Sequence, residues 1–306
     1  METAGVLRVS SWLERRVAAL GSPGQAWLAA LPDLVAHLQE RWALTVEEEL
    51  SGGTSSWVAR VCRADGTGAV LKVALPDATS EREVAVLLAA AGRGYARVLA
   101  AAPEHRAVVL ELLGPVLDAA GLAPEQQIAT LCGTLHDAWW VPRGDTAPEA
   151  RAESLAELVT RLWDELDRPC SARVFDLALE CARRRTAGTG QLVVVHGDPH
   201  PGNALKRADG TFVFVDPDGF VADPAYDLGV VLRDWCPELL AGDPVELAGR
   251  YCRLLAEHTG IDRTAIGEWG FLERVSSGLH ILELGRPDLA APFLETAERL
   301  AVARPW

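Results

Sequence analysis

The spacing of apolar residues changes twice along the chain, and the changes predict where helices and strands lie. Residues 11–42 carry apolar side chains at mixed three- and four-residue steps, which predicts helices. From Val46 to Glu111, short β-branched runs alternate with glycine-containing turns, which predicts strands. After Gly121 the helical spacing returns and continues nearly to the end of the chain. The order of these regions predicts an α+β fold with a sheet-rich first part and a helical second part.

The predicted sheet is antiparallel and has five strands, the first at Val46 and the others at residues 57–61, 69–73, 95–101 and 107–112. One helix, predicted over residues 80–91, interrupts it. Gly114 and Pro115 break the pattern after the last strand, so we place a domain boundary there. The expected domains are residues 1–113, with the leading helices and the sheet, and residues 114–306, with helices predicted over 124–140, 150–166, 172–185, 225–235, 243–258, 262–279 and 288–301.

Charge is distributed unevenly between these parts. Residues 1–113 carry 11 Lys+Arg against 13 Asp+Glu, whereas residues 114–306 carry 18 against 30. An acidic second domain argues against nucleic acid or an anionic membrane as partner and favours a cationic small molecule. The alternative is that the acids only keep a helical domain soluble.

Cysteine usage and hydropathy indicate where the protein works. None of the six cysteines forms a C-x-x-C pair, so reduced thiols are expected rather than a disulfide framework or a zinc site. Residues 1–16 lack the apolar core of a signal peptide, and no apolar run reaches membrane-spanning length. We therefore expect a cytoplasmic enzyme without a membrane partner.

The strongest chemical signal is the segment His196-Gly197-Asp198-Pro199-His200-Pro201-Gly202-Asn203, followed by the apolar run 212–215 and Asp216. The runs 192–195 and 212–215 are expected to pair as strands, with a turn at 208–210. That pairing would direct Asp198, Asn203 and Asp216 toward one point. An aspartate near an acceptor hydroxyl, with Asn203 and Asp216 on Mg²⁺, suits phosphoryl transfer, and the spacing matches a kinase catalytic loop.

A second signal lies in the sheet region. A Gly/Ser loop before the strand at 57–61 can place backbone N–H groups over nucleotide phosphates; its candidate residues are Ser51, Gly52, Gly53, Thr54 and Ser55. Lys72, one of only two lysines in the chain, sits mid-strand among apolar residues just after this loop. A lysine is a compact charge that can reach between two phosphates. Glu83 is the expected partner of Lys72; Glu81 is the alternative.

These motifs resemble the aminoglycoside phosphotransferase family, and most strongly its streptomycin and hydroxyurea kinase branch, over about residues 27–300. The resemblance implies a protein-kinase-like bilobal fold that uses ATP and Mg²⁺. It implies an adenine-binding hinge that includes Glu111 and Leu113. It also implies that Asp227, together with His196, supports the catalytic loop. Protein kinases carry Arg where this chain has Gly197 and Phe-Gly where it has Pro217-Asp218, so control through an arginine-anchored activation loop is not expected.

The resemblance implies an ATP-dependent O-phosphotransferase that modifies a small-molecule antibiotic, such as streptomycin, and confers resistance. Two alternatives stay open. One is a kinase of the same fold for hydroxyurea, a cyclic-peptide antibiotic, choline or a homoserine-like metabolite, and the other is a nucleotide-binding module without turnover. Asp218 is either a second metal contact or a turn residue. Acids beside aromatics in the final helices are candidates for an amine-binding wall: Asp234, Trp235, Glu238, Trp269, Glu273 and Glu283.

Overall fold

The computed structural model describes residue 7 and residues 9–50, 55–186 and 190–306. Its contacts divide the chain into two compact units, Met1–Gly114 and Pro115–Trp306. The boundary predicted from the sequence differs from this division by one residue.

The first unit begins with two helices, α1 (Ser11–Leu20) and α2 (Ser22–Trp42). The Ser10 hydroxyl caps α1 by accepting a hydrogen bond from the Leu13 N–H at 3.1 Å. Gly21 separates the two helices because its φ of 64° lies in the left-handed region, where a helix cannot continue. The apolar stretch from 11 to 42 is therefore two helices, and Leu13, Leu31 and Leu38 pack into the core beneath the sheet.

A five-stranded antiparallel sheet follows, as the sequence predicts. Its strands are β1 (Leu44–Glu49), β2 (Ser56–Arg63), β3 (Gly68–Ala74), β4 (Val98–Ala102) and β5 (Ala107–Glu111). They lie in the order β1-β2-β3-β5-β4, so β3 is central. Helix α3 (Ala78–Ala90) connects β3 to β4 and is capped by Asp77, which accepts from the Ser80 N–H at 2.8 Å. Strand β4 starts three residues later than predicted.

The second unit is built around one long helix, α10. The helices of this unit are α4 (Pro124–Ala138), α5 (Arg151–Glu165), α6 (Ala172–Thr186), α7 (Ala225–Arg233), α8 (Cys236–Ala241), α9 (Pro244–Thr259), α10 (Arg263–Glu283) and α11 (Pro287–Ala303). Every residue of α10 from Ala265 to Ser276 is buried, since α5, α6, α7, α9 and α11 pack around it. Within the described part of the chain, no helix combines the length and the apolar character that a membrane span requires.

Two short antiparallel strand pairs flank the segment at residues 196–203, and they correct one prediction. Strand β6 (Val193–Val194) pairs with β9 (Val221–Ala222), and β7 (Ala204–Lys206) pairs with β8 (Phe212–Phe214). The expected pairing of 192–195 with 212–215 is wrong. The turn that ends at Gly210, with a φ of 92°, is so tight that β8 meets the residues just before the turn.

The close approach of α7 to α10 occurs at Gly229, where an added Cβ would lie 2.4 Å from the Trp269 Cβ and 2.8 Å from the Gly270 nitrogen. We expect Gly229→Ala to lower the free energy of unfolding by about 1–3 kcal/mol, because the two helices must move apart. Gly133→Ala in α4 is the matched control. Its new Cβ meets nothing within 4 Å, so the higher helix propensity of Ala should raise the free energy of unfolding by about 0.5–1 kcal/mol. Urea unfolding measures both, and equal changes in the two variants would contradict the packing argument.

Candidate active site

The backbone of the catalytic segment is held by one buried carboxylate, that of Asp227 in α7. Its Oδ2 accepts hydrogen bonds from the His196 N–H and from the Trp139 Nε1–H, each at 2.8 Å. Its Oδ1 accepts from the Gly197 N–H at 2.9 Å. Burial raises the pKa of Asp227 to about 6, although the hydrogen bonds from Gly197, Trp139 and His196 act in the opposite direction. The support that the family resemblance implies for Asp227 is thus visible as geometry.

His196 is the second support of the loop, and its two ring nitrogens have different roles. Nδ1 lies 3.1 Å from the Asp198 backbone N–H, which can only donate, so Nδ1 is the acceptor. Nε2 then carries the proton and donates to the Val215 carbonyl at 2.9 Å. The ring is completely buried, and this burial lowers the pKa of His196 to about 4. A neutral imidazole therefore links the strand before the loop to the strand that leads to Asp216.

Gly197 shows why this loop differs from that of protein kinases. Its φ is 96°, and an added Cβ would lie 2.5 Å from the Asp218 Cβ. The Asp218 N–H donates to the His196 carbonyl at 2.7 Å, which fixes this close approach. An arginine cannot occupy position 197 without moving the segment after Asp216.

Asp198, the candidate catalytic residue, keeps 41% of its side chain exposed. Its Oδ1 accepts a hydrogen bond from Arg233 Nη2 at 2.8 Å, and its Oδ2 lies 3.5 Å from His200 Nε2. Burial alone would raise the pKa of Asp198, but the charges of Arg233 and then His200 outweigh it and lower the pKa. Asp198 is therefore an ionised carboxylate with one oxygen fixed. Sequence reasoning missed Arg233, because it lies 35 positions away at the end of a helix and no motif marks it.

Asn203 and Asp216, the candidate metal ligands, are joined to the same loop. Asn203 Nδ2 donates to the Asp198 carbonyl at 3.0 Å, which leaves its Oδ1 as an oxygen ligand. The Asn203 carbonyl accepts from the Val215 N–H at 3.0 Å, one residue before Asp216. Asp216 has a φ of 58°, a conformation that costs a non-glycine residue about 1–3 kcal/mol and that concentrates at functional sites.

The chemistry of this donor set fits Mg²⁺. Among the residues that the structure describes, no group of three or more His, Cys, Asp or Glu side chains could hold a metal alone. Mg²⁺ usually takes one or two protein oxygens and completes its octahedron with phosphate oxygens and water. Asn203 and Asp216 suit that kind of site and do not resemble a permanent metal cage.

In the first unit, Lys72 and Glu83 form the predicted ion pair between β3 and α3. Both are buried, with 4% and 5% of their surface exposed. The alternative partner, Glu81, binds Arg106 Nη2 at 2.9 Å instead. A buried, paired lysine is held in one position, as a phosphate-binding cation must be.

The structure describes only some of the other candidate nucleotide-binding residues. Ser51, Gly52, Gly53 and Thr54 lie outside the described residues, whereas the Ser55 carbonyl accepts from the Leu75 N–H at 3.0 Å. Glu111 ends β5, and its Oε1 accepts from the Arg97 N–H at 2.7 Å. Leu113 follows β5, partly buried. Their contact with a nucleotide stays a prediction.

The six candidates for the amine-binding wall do not form one surface. Trp235, Trp269 and Glu273 keep 8%, 4% and 3% of their surface exposed. Asp234 lies beside Arg233, with its Oδ1 3.5 Å from Arg233 Nε. Glu238 is exposed on α8, and Glu283, at the end of α10, pairs with Arg161 at 2.9 Å. Of these acids, the structure brings only Asp234 and Glu273 into the group of charges around Asp198.

Comparison with solved structures defines the class of the fold. A thermostable mutant of the aminoglycoside phosphotransferase APH(4)-Ia, solved in a ternary complex with ADP and hygromycin B, is similar with a TM-score of 0.62. The match has 17% sequence identity and covers 87% of this chain and 97% of that chain. The protein therefore has the α+β, protein-kinase-like bilobal fold, as the sequence predicts.

Sequence comparison identifies the family within this class. The chain belongs to the aminoglycoside/hydroxyurea antibiotic resistance kinases, whose family model matches residues 41–285. It is 30% identical to a streptomycin 6-kinase of Streptomyces glaucescens over 92% of this chain and 93% of the relative. It is also 30% identical to a hydroxyurea phosphotransferase of Kitasatospora aureofaciens, over 90% of this chain and 80% of the relative. The chain is thus a phosphotransferase of an antibiotic resistance family.

The buried His196 predicts a pH dependence of stability. Its pKa falls from an ordinary value of 6.5 to about 4 on folding, so the unfolded chain binds this proton more tightly. The contribution of His196 to the free energy of unfolding is fully present above pH 6.5. It is lost as the pH falls from 6.5 to 4, by about 3 kcal/mol in total.

Asp227 titrates in the opposite direction, so the pH dependence of total stability does not isolate His196. The difference between wild type and His196→Asn does, because both proteins retain Asp227. Urea unfolding at pH 7 and pH 4.5 should show this difference shrinking at the lower pH, and a constant difference would contradict a neutral buried imidazole.

Proposed function

We propose that the protein transfers the γ-phosphoryl group of ATP to a hydroxyl group of a cationic small-molecule antibiotic, as a resistance enzyme of the cytoplasm. The observation that carries this proposal is the state of Asp198. It is an ionised carboxylate, fixed by Arg233 through one oxygen and joined to the candidate metal ligand Asn203 through its backbone. In this role Asp198 orients the acceptor hydroxyl and accepts its proton.

Candidate residues are assigned to the nucleotide and to its metal ion. Lys72, fixed by Glu83, supplies a point charge for the α- and β-phosphates. Asn203 and Asp216 would hold Mg²⁺, which when bound neutralises charge on the transferring phosphoryl group. Nucleotide use is supported by the family and by the similar structure that contains ADP.

The acceptor is assigned from the net charge of the second unit and from sequence similarity to known kinases. The second unit carries most of the net charge of −14 of the whole chain, and Asp234 adds a carboxylate close to Asp198. A guanidino- or amino-sugar antibiotic such as streptomycin gains steering and charge-assisted hydrogen bonds from such a surface. Similarity to a streptomycin 6-kinase supports this choice. Hydroxyurea is the second candidate, because a hydroxyurea phosphotransferase is equally identical to this chain.

Asp198→Asn tests the catalytic assignment. The amide keeps the size of the side chain but cannot accept the proton of the acceptor, so kcat should fall by about two to four orders of magnitude. The rise in melting temperature with ATP and Mg²⁺ should remain. Asp209→Asn, in the exposed turn between β7 and β8, is the control and should keep its activity. A folded Asp198→Asn variant with near-normal turnover would exclude Asp198 from this role.

The salt dependence of the acceptor kinetics tests the acceptor assignment. Attraction between exposed charges is screened over about 8 Å at physiological ionic strength. The KM for streptomycin should therefore rise with added salt, and the KM for ATP should rise less. Hydroxyurea should be a poor acceptor with little salt dependence. Initial rates with both compounds at low and high salt decide between them, and a salt-insensitive enzyme that prefers hydroxyurea would reject the cationic acceptor while leaving the phosphotransferase chemistry intact.

A further inference from the structure

Arg233, the last residue of α7, connects the carboxylate of Asp198 to helix α10. Its guanidinium has a different partner on each nitrogen. Nη2 donates to Asp198 Oδ1 at 2.8 Å, and Nε lies 3.5 Å from Asp234 Oδ1. Nη1 lies 3.6 Å from Glu273 Oε2 and 3.5 Å from the Ser277 hydroxyl, both on α10. Because the guanidinium is planar and rigid, the partners of Nη1 and Nε determine where Nη2 points.

Glu273 is the innermost of these partners and has contacts of its own. Its Oε1 accepts a hydrogen bond from the Tyr226 hydroxyl at 2.6 Å and lies 3.4 Å from Arg151 Nη2. Arg151 Nε also donates to the Tyr226 oxygen at 2.9 Å. Tyr226 is completely buried and Glu273 keeps 3% of its surface exposed, so the carboxylate has little freedom to move. One connected chain of contacts therefore runs from α5 through α7 and α10 to the catalytic loop.

The charges in this chain explain why a glutamate is present in the middle of a buried helix. Arg233 is a cation with 16% of its side chain exposed, and Asp198 is its closest anion. If Asp198 were its only strong partner, the guanidinium would compete with the acceptor hydroxyl for the same carboxylate. Glu273 and Asp234 share the charge of Arg233, while its Nη2 stays on Oδ1 of Asp198.

We propose that Glu273 is a positioning residue for phosphoryl transfer: with Tyr226 and Arg151 behind it, its carboxylate holds the Arg233 guanidinium in the orientation that fixes Asp198 for the acceptor. This inference rests on the proposed function, because it assumes that Asp198 meets the acceptor. Glu273 keeps 3% of its surface exposed, and in this proposal it acts through its contact with Arg233.

Glu273→Gln tests the charge of this residue, since glutamine keeps its volume and can still accept from Tyr226. The matched control is Glu268→Gln in the same helix. Glu268 is equally buried and paired with two arginines, Arg184 and Arg185, but these belong to α6. Both variants lose a buried, arginine-paired carboxylate, so both should lose stability. Only Glu273→Gln should lower kcat, by about 10- to 100-fold, as misplaced catalytic groups do, with the KM for ATP unchanged.

A double-mutant cycle separates positioning from general damage. In an Arg233→Gln background, Glu273→Gln should cause no further fall in kcat, because the contact through which it acts is already gone. Tyr226→Phe removes only the hydroxyl that holds Glu273; it should lower kcat in the same direction by a smaller factor, and it provides the measurement if Glu273→Gln does not fold.

Two outcomes overturn the inference: equal kcat values for Glu273→Gln and Glu268→Gln, or independent effects of Glu273→Gln and Arg233→Gln. Failure of the proposed function has a different signature. An Asp198→Asn variant that keeps its turnover rejects the function itself, whereas an inactive Asp198→Asn together with an unaffected Glu273→Gln rejects only the role of Glu273.

Discussion

The loop at residues 196–203 depends on a buried negative charge, the carboxylate of Asp227, which accepts three N–H hydrogen bonds. A buried carboxylate is costly unless its oxygens are satisfied, and two of these donors are backbone amides of the loop itself. The same hydrogen bonds therefore stabilise the buried charge and fix the backbone of the loop. The His196 and Gly197 amides bind different oxygens of this carboxylate, so an asparagine, with one acceptor oxygen, would leave at least one buried N–H donor facing an NH₂ group. Trp139 extends this dependence to α4.

Arg233 and Lys72 are also paired with carboxylates, but the arginine and the lysine have different roles. The chain contains 27 arginines and two lysines. Arg233 contacts Asp198, Asp234 and Glu273 at once, which suits a planar fork with several donors. Lys72 pairs with the single carboxylate of Glu83 and offers a compact charge. The use of lysine at this one buried position agrees with a phosphate ligand, to which lysine can offer a compact charge.

Whether a feature could be predicted from the sequence depends on how far apart along the chain the contacting residues lie. The sheet and the Lys72–Glu83 pair were predictable, because strand periodicity and the position of Glu83 one turn inside α3 are local features. The partner of the strand at 192–195 was not predictable, because the apolar residues at 212–215 and at 221–222 look equally suitable. The tight turn at Gly210 pairs 212–214 with 204–206, and the strand at 193–194 pairs with 221–222. Glu273 was expected in an amine-binding wall, but it is buried within the second unit. Its burial arises from Tyr226 and Arg151, 47 and 122 positions away.

The arginine beside Asp198, the candidate catalytic residue, distinguishes this loop from that of protein kinases, where the H-R-D arginine directly precedes the aspartate. Here that position is Gly197, and the approach of Asp218 leaves no room for a side chain. The guanidinium beside Asp198 comes instead from Arg233 in α7, which also lies 3.6 Å from Glu273, a residue of the core. A buried glutamate is present whenever the unit is folded, whereas a phosphate on an activation loop can be added or removed. The arrangement therefore ties the position of the Asp198 carboxylate to the folding of the second unit.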